Sequence, residues 1–257
     1  MKLIKLLGAA LITVTAINAN AAVIVNVTQG AAAATAEANF LSILKYSTTE
    51  TFEGNGANLN TVSANYAGAN QQLNFEDHST SYTTSVGTFT LDTAGQDTGA
   101  GTFIDDLMIE SAATTGEHGR QSLSTHQNDF WLDSNDAEQV TWDIFTTPET
   151  AFDAIGFYLA DAEDQGAALT LDLDLDNGTT QTIEIPTTGL NQNLVYITLK
   201  FDLTVVKASI AFNNSTNADG WGIDNVTIGK IPEPGTLVLL GLGILGLAAA
   251  RRKTTQY

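Results

Sequence analysis

From Leu169 to Asp176 every second residue is a leucine, and the positions between are Thr170, Asp172, Asp174 and Asp176. A period of two belongs to a strand, whose side chains point alternately to its two faces. One face is therefore a leucine row for a core, and the other is carboxylates in water. Asn177-Gly178 follows, a dipeptide that supplies the positive φ angles of a tight hairpin turn. Thr179 to Ile185 returns with Ile183 and Ile185 on the core side. A hairpin with one dry face needs a second layer to cover it.

The same patterning recurs along the middle of the chain. Short apolar alternations stand at Thr51-Phe52-Glu53, Gln72 to Phe75, Ser85 to Leu91 and Val140 to Phe145. Leu194 to Phe201 and Val205 to Phe212 add two strands, and Gly222 to Ile228 is the last. In Phe152 to Asp161, Ile155, Phe157 and Leu159 alternate inward while Gly156 permits a close approach by a neighbouring strand or loop. That segment is a core strand or a ligand-facing edge. Between Gln96 and Asn135, Gly, Asp, Asn and Ser interrupt often, which predicts long loops around a few strands. The one helix expected is Ala31 to Lys45, where alanine is abundant and Ala33, Ala36, Phe40, Ile43 and Leu44 fall near one face. The pattern predicts an all-β sandwich with one N-terminal α-helix.

Both ends of the chain stand outside that fold. Lys2 and Lys5 precede an apolar stretch from Leu6 to Ile17, and Ala19-Asn20-Ala21 offers small residues to signal peptidase. This is a secretory signal peptide over residues 1–21, with cleavage after Ala21 or Ala22, and it implies the general secretion machinery as a partner. At the other end Pro232-Glu233-Pro234-Gly235 leads into an uncharged run from Thr236 to Ala250, closed by Arg251, Arg252 and Lys253. A spanning helix needs about 20 apolar residues, so a C-terminal hydrophobic helix over 235–250 is a marginal span. The basic cluster would stay cytoplasmic and leave everything upstream outside. The domains expected are thus 1–21, a β-sandwich over 22–229, and a C-terminal signal over 230–257.

Composition bounds what the middle can do. Four cations (Lys45, Arg120, Lys200, Lys207) face 28 acidic residues over 22–229, a formal balance of −24. Such a surface repels DNA, RNA and anionic lipid and attracts divalent cations, so nucleic acid is excluded as a partner. There is no cysteine, and an exported chain without disulfides relies on its own core or on metal.

Two resemblances are carried by these residues. The order proline, glutamate, proline, hydrophobic run and terminal arginines resembles the PEP-CTERM sorting signal of Gram-negative bacteria. The resemblance implies an exosortase that recognises the tail and removes or exchanges it, an inner-membrane intermediate, and a final place at the cell surface or in an extracellular matrix with exopolysaccharide. The segment Phe152 to Asp161 also resembles a stretch of sandwich proteins that carry this signal. Secondly, Phe52-Glu53 and Ile223-Asp224-Asn225-Val226 are similar, in position and order, to segments of carbohydrate-binding jelly rolls. This implies a jelly-roll-like sandwich with a structural calcium shared by Glu53 and Asp224, supplemented by backbone carbonyls to reach six to eight oxygens. Alternatively, Glu53 is an exposed strand residue and Asp224 accepts turn hydrogen bonds beside Trp221.

Signals for catalysis are few. His78, His118 and His126 lack H-E-x-x-H spacing, and neither a G-x-S-x-G elbow nor a cysteine nucleophile is present. Asp172, Asp174, Asp176 and Gly178 depart from an EF-hand loop, since glycine falls seventh and Ile183 occupies the twelfth position. These features predict a non-enzymatic protein, with a polysaccharide-modifying enzyme, acting through a carboxylate pair among the many acids, as an alternative. Carbohydrate binding is a second expectation, with Trp131, flanked by Asp129 and Asp133, as an exposed platform for a sugar ring. Phe130, Trp142 and Tyr82 are further aromatics in or near that polar stretch, while Trp221 belongs to the core.

Overall fold

The computed structural model describes residues 23–53, 60–66, 69–95, 106–111, 130–135, 137–162, 169–185, 193–214 and 220–233. The elements are β1 (Val23–Gln29), a 3-10 turn (Gly30–Ala32), α1 (Ala33–Ile43), β2 (Tyr46–Glu50), β3 (Asn60–Tyr66), β4 (Ala69–Ser79), β5 (Ser81–Thr84) and β6 (Gly87–Thr93). There follow β7 (Leu107–Ser111), β8 (Phe130–Asp133), β9 (Gln139–Phe145), β10 (Phe152–Ala160), β11 (Leu169–Leu175), β12 (Thr180–Glu184), β13 (Leu194–Val205), β14 (Lys207–Asn214) and β15 (Gly222–Lys230).

The strands form two antiparallel sheets. The larger runs β1-β13-β10-β15-β8-β7-β4-β3, with β2 also paired to β15; the smaller runs β12-β11-β14-β9-β6-β5. From β9 to β15 the chain passes repeatedly between the sheets, as in a jelly roll. The predicted signal peptide and the predicted spanning helix over 235–250 lie outside the described residues; among those described, no helix is long and apolar enough to cross a membrane.

The leucine row behaves as its period dictates. Leu169, Leu171, Leu173 and Leu175 are buried in the core with Ile183 and Ile185, while Asp172, Asp174 and Asp176 are exposed. These carboxylates serve the sheet: Asp172 accepts hydrogen bonds from Thr182 and Asn213, and Asp176 from the Val206 N–H. The turn differs from expectation in one respect. Only Gly178 has positive φ (+81°), and its N–H donates to the Leu175 carbonyl at 2.9 Å. The connection is a wider turn with glycine alone in the left-handed region, not a two-residue turn with Asn177 there as well.

The N-terminal region also departs from the sequence pattern. The apolar alternation at Thr51 to Glu53 is not a strand: it follows β1 and β2, and Phe52 sits at φ +52°. β1 carries its own signal, since Val23, Val25 and Val27 alternate and pack on the core. Its position directly after the expected signal peptide obscures it in the sequence.

The helix lies on the outer face of the larger sheet. Phe40 meets Tyr196 edge-on at 6.1 Å, and Tyr196 meets Tyr158 at 4.8 Å. Glu37 ties this layer down: Tyr158 Oη donates to one carboxylate oxygen (2.9 Å) and Asn225 Nδ2 to the other (2.6 Å). Asn225 adopts φ +48°, a conformation asparagine tolerates better than most residues. It forms a bulge that keeps Ile223, Val226 and Ile228 all facing the core.

Candidate functional site

Three places hold the residues singled out by the sequence. The first is the outer face of β7, β8 and β15. Leu132 and Ile109 pack in the core, so alternation turns Trp131, Asp133 and Glu110 to the opposite face. Trp131 is only 1% exposed, and it is therefore no surface platform for a sugar ring. It lies on the short strand β8, unread in the sequence, between β7 and β15. Asp133 is buried as well and accepts from the Asn135 N–H at 2.5 Å, while Asp129 lies outside the described residues. Trp131 pairs across the ladder with Glu110, which is fully buried. Glu110 was not singled out in the sequence; an acid closing the apolar run Leu107-Met108-Ile109 is the signal that marks it. Phe130, Trp142 and Trp221 are core residues, the last stacked on Phe212 at 4.6 Å. His78 is exposed and hydrogen-bonded to Asp106 at 2.8 Å; His118 and His126 lie outside the described residues.

The fold brings the two segments of the calcium expectation onto neighbouring stretches of the chain. β2 pairs with β15 through Glu50 opposite Val226, and Glu53 follows three residues later. Asp224 is 1% exposed and accepts from the Asn225 N–H at 2.6 Å, whereas Glu53 is exposed. Among the described residues, no three acidic or histidine side chains gather closely enough to hold a metal ion. Two carboxylates fall short of the six to eight oxygens calcium takes, so the donor set suits the ion only with several backbone carbonyls or waters.

The second place is where the chain leaves the sandwich. Lys230 ends β15, and Asp153 fixes the exit with both oxygens: Oδ2 pairs with Lys230 Nζ at 3.1 Å and Oδ1 accepts from the Ile231 N–H at 2.7 Å. The Lys45 N–H donates to the Lys230 carbonyl at 2.7 Å. Pro232 and Glu233 are exposed immediately beyond this clamp. Pro234, Gly235, Arg251, Arg252 and Lys253 lie outside the described residues.

The third is a cleft of about 420 Å³ between β2 and the connection from β9 to β10. Tyr46 and Phe145 stand at its walls, and Phe152 and Ile228 also line it. These two rings are among the most exposed large apolar side chains described, at 42% and 64%.

The fold defines an all-β sandwich with one helix near its N-terminus. Residues 230–253 match the PEP-CTERM protein-sorting motif, so the signal begins on the last residue of the last strand. No curated protein matches the chain. Solved structures with some likeness include TmCBM61 in complex with beta-1,4-galactotriose (14% identity, 43% of this chain and 77% of that one, TM-score 0.31). Others are the CBM22-1 xylan-binding domain from Paenibacillus barcinonensis Xyn10C (12%, 61% and 94%, 0.32) and CBM35 from Cellvibrio japonicus Abf62 (12%, 71% and 92%, 0.28). At such TM-scores no ligand or site is transferred.

Proposed function

We propose that this is an exported, non-enzymatic protein sorted by an exosortase through its C-terminal signal to the cell surface or extracellular matrix of a Gram-negative bacterium, where it associates with exopolysaccharide. The observation that carries the proposal is the sorting motif at residues 230–253, set directly on the clamped end of β15. Pro232, Glu233 and Pro234 form the recognition turn, the apolar run holds the chain in the inner membrane, and Arg251 to Lys253 prevent complete export. The signal at the N-terminus and the strongly acidic middle agree with work outside the cytoplasm.

Replacing Pro232, Glu233 and Pro234 together with alanine is expected to leave the unprocessed chain in the membrane fraction. A blot of cell fractions reads this directly, and processing at the wild-type rate would refute the sorting role.

A structural calcium held by Glu53 and Asp224 belongs to the same proposal, as a link between the segment after β2 and the last strand in a chain without disulfides. With calcium at ~100 times its Kd, binding stabilises the native state by about 2.7 kcal/mol, which is roughly 5–10 °C in Tm for a domain of this size. Chelation is expected to lower Tm by that amount in the wild type and to leave Glu53→Ala unchanged. A wild-type Tm indifferent to chelator removes the ion.

A further inference from the structure

We infer that the cleft between β2 and the β9–β10 connection is a binding site for a neutral saccharide, entered by one or two hexopyranose units of a longer polymer. The inference rests on the proposed matrix role and supplies its contact surface.

Strand pairing explains how the cleft is built. Thr48 lies opposite Ile228, whose side chain belongs to the core, so Thr48 and its i−2 neighbour Tyr46 turn toward the sandwich side of β2. The Tyr46 hydroxyl donates to the Ala151 carbonyl at 3.3 Å, bracing the ring against the β9–β10 connection. Phe145 ends β9 on the side opposite Trp142 and Ile144, which are buried. Lys207 Nζ stands 5.1 Å from its ring centroid, covering one face of a ring that is otherwise open. A phenylalanine this exposed costs solubility without adding to the core, and a flat apolar ring beside hydroxyls is what a pyranose C–H face stacks upon.

The polar lining consists of hydroxyls. Thr147 and Thr150 share a hydrogen bond at 3.1 Å, and Thr146 donates to the Val206 carbonyl at 3.2 Å. Each hydroxyl has one donor and two acceptor positions; Thr150 fills its own with the Thr147 N–H, hydroxyl and carbonyl, whereas Thr146 and Thr147 keep acceptor capacity toward a ligand. Thr48 makes no side-chain hydrogen bond among the described residues and offers all three. Among the described residues no Asp, Glu, Lys, Arg or His lines the cleft, and the Glu50 carboxylate that borders it is taken up by the Ser85 hydroxyl and the Ser85 and Phe52 N–H groups; the chain carries 29 acidic residues and a net charge of −19.

That contrast selects the ligand. A cation finds no carboxylate in the lining, and an anionic polymer is repelled by the surrounding surface. A purely apolar ligand would cover the Thr48 hydroxyl without giving it a partner. A polyhydroxylated ring with an apolar face satisfies both halves of the wall, and the cleft volume falls in the range of small-ligand sites.

The test uses the full chain, purified in detergent, in native affinity gels cast with a soluble β-glucan, a galactan, a galactomannan or polygalacturonate. At least one neutral polymer is expected to retard the protein, and polygalacturonate is not. Phe145→Ala should weaken that retardation tenfold or more and Thr48→Val severalfold, with unfolding midpoints at the wild-type value because both side chains are exposed. Absence of retardation by every neutral polymer, stronger retardation by polygalacturonate, or wild-type retardation of Phe145→Ala overturns the inference. The sorting reading fails separately: it is read by processing in cells, which Phe145→Ala leaves intact, whereas the triple alanine variant at Pro232, Glu233 and Pro234 blocks processing and keeps its retardation in the gel.

Discussion

Trp142→Ala is expected to cost about 3–5 kcal/mol, the range for removing a large buried aromatic side chain. Trp142 is fully buried on β9 in the smaller sheet. Its ring stacks on Phe89 of the neighbouring strand β6 (centroids 5.2 Å, 11° between planes) and meets Phe157 of the larger sheet edge-on at 6.0 Å. It therefore joins both layers of the sandwich as well as two strands of one sheet. Its Nε1–H donates to the Val86 carbonyl at 3.2 Å, so truncation also strands a buried acceptor. Small domains hold about 5–15 kcal/mol in total, and this one substitution removes a large share. Urea unfolding reads the effect as a lower midpoint at unchanged slope. Trp142→Phe should recover most of the loss, since it keeps the stacking and forfeits only the indole ring's outer part and its hydrogen bond. A midpoint for Trp142→Ala close to wild type would mean that the two sheets do not share one core.

Trp142 also shows where sequence pattern stops and structure begins. Its alternation with Val140 and Ile144 marks a strand with one dry face, and the structure agrees. The Leu169 to Leu175 row and the helix over Ala33 to Ile43 were legible for the same reason: each has a period that only one element satisfies. Trp131 had no such frame. It sits among Asp and Asn in a stretch of weak periodicity, and its burial depends on pairing with β7 and on what covers the sheet's outer face, both long-range facts. Phe145 reverses the case. It closes an apolar alternation, and strict alternation after Ile144 sends it outward. The exposed pair Tyr46 and Phe145 comes from strands far apart in the chain, and no local pattern links them. The Asp153 clamp on Lys230 and Ile231 is likewise invisible in one dimension. By contrast, the sorting signal was fully legible, because its recognition depends on order and terminal position and not on a folded neighbourhood.

Gly156→Ala is the second large effect expected, at about 1–3 kcal/mol from overpacking, with Gly156→Val beyond it. The backbone at Gly156 is ordinary, since its φ is not among the positive ones, so conformational freedom does not explain the glycine. Space does. A Cβ there would stand 2.5 Å from Tyr196 Oη and 2.6 Å from Phe40 Cε1. β10 cannot retreat, because β13 and β15 hold it on both sides. The sequence suggested close approach by a strand or loop; the groups that approach are the Tyr196 hydroxyl from the neighbouring strand β13 and the Phe40 ring of α1. The load therefore falls on the helix, which must lift from the sheet and weaken the hydrogen bonds from Tyr158 and Asn225 to Glu37. Burial, reinforced by the Glu37 charge and then by Tyr158, raises the Tyr196 pKa well above that of a free tyrosine, so this hydroxyl stays neutral and bulky at any working pH. A double-mutant cycle separates steric load from other causes. Phe40→Ala alone is expected to destabilise by about 3–5 kcal/mol, but in that background Gly156→Ala should cost less than it does in the wild type, because one of the two clashing groups has gone. Additive losses in urea unfolding would show that α1 does not press on β10 at this point, and the helix would then be a loosely attached strap instead of the sheet's outer layer.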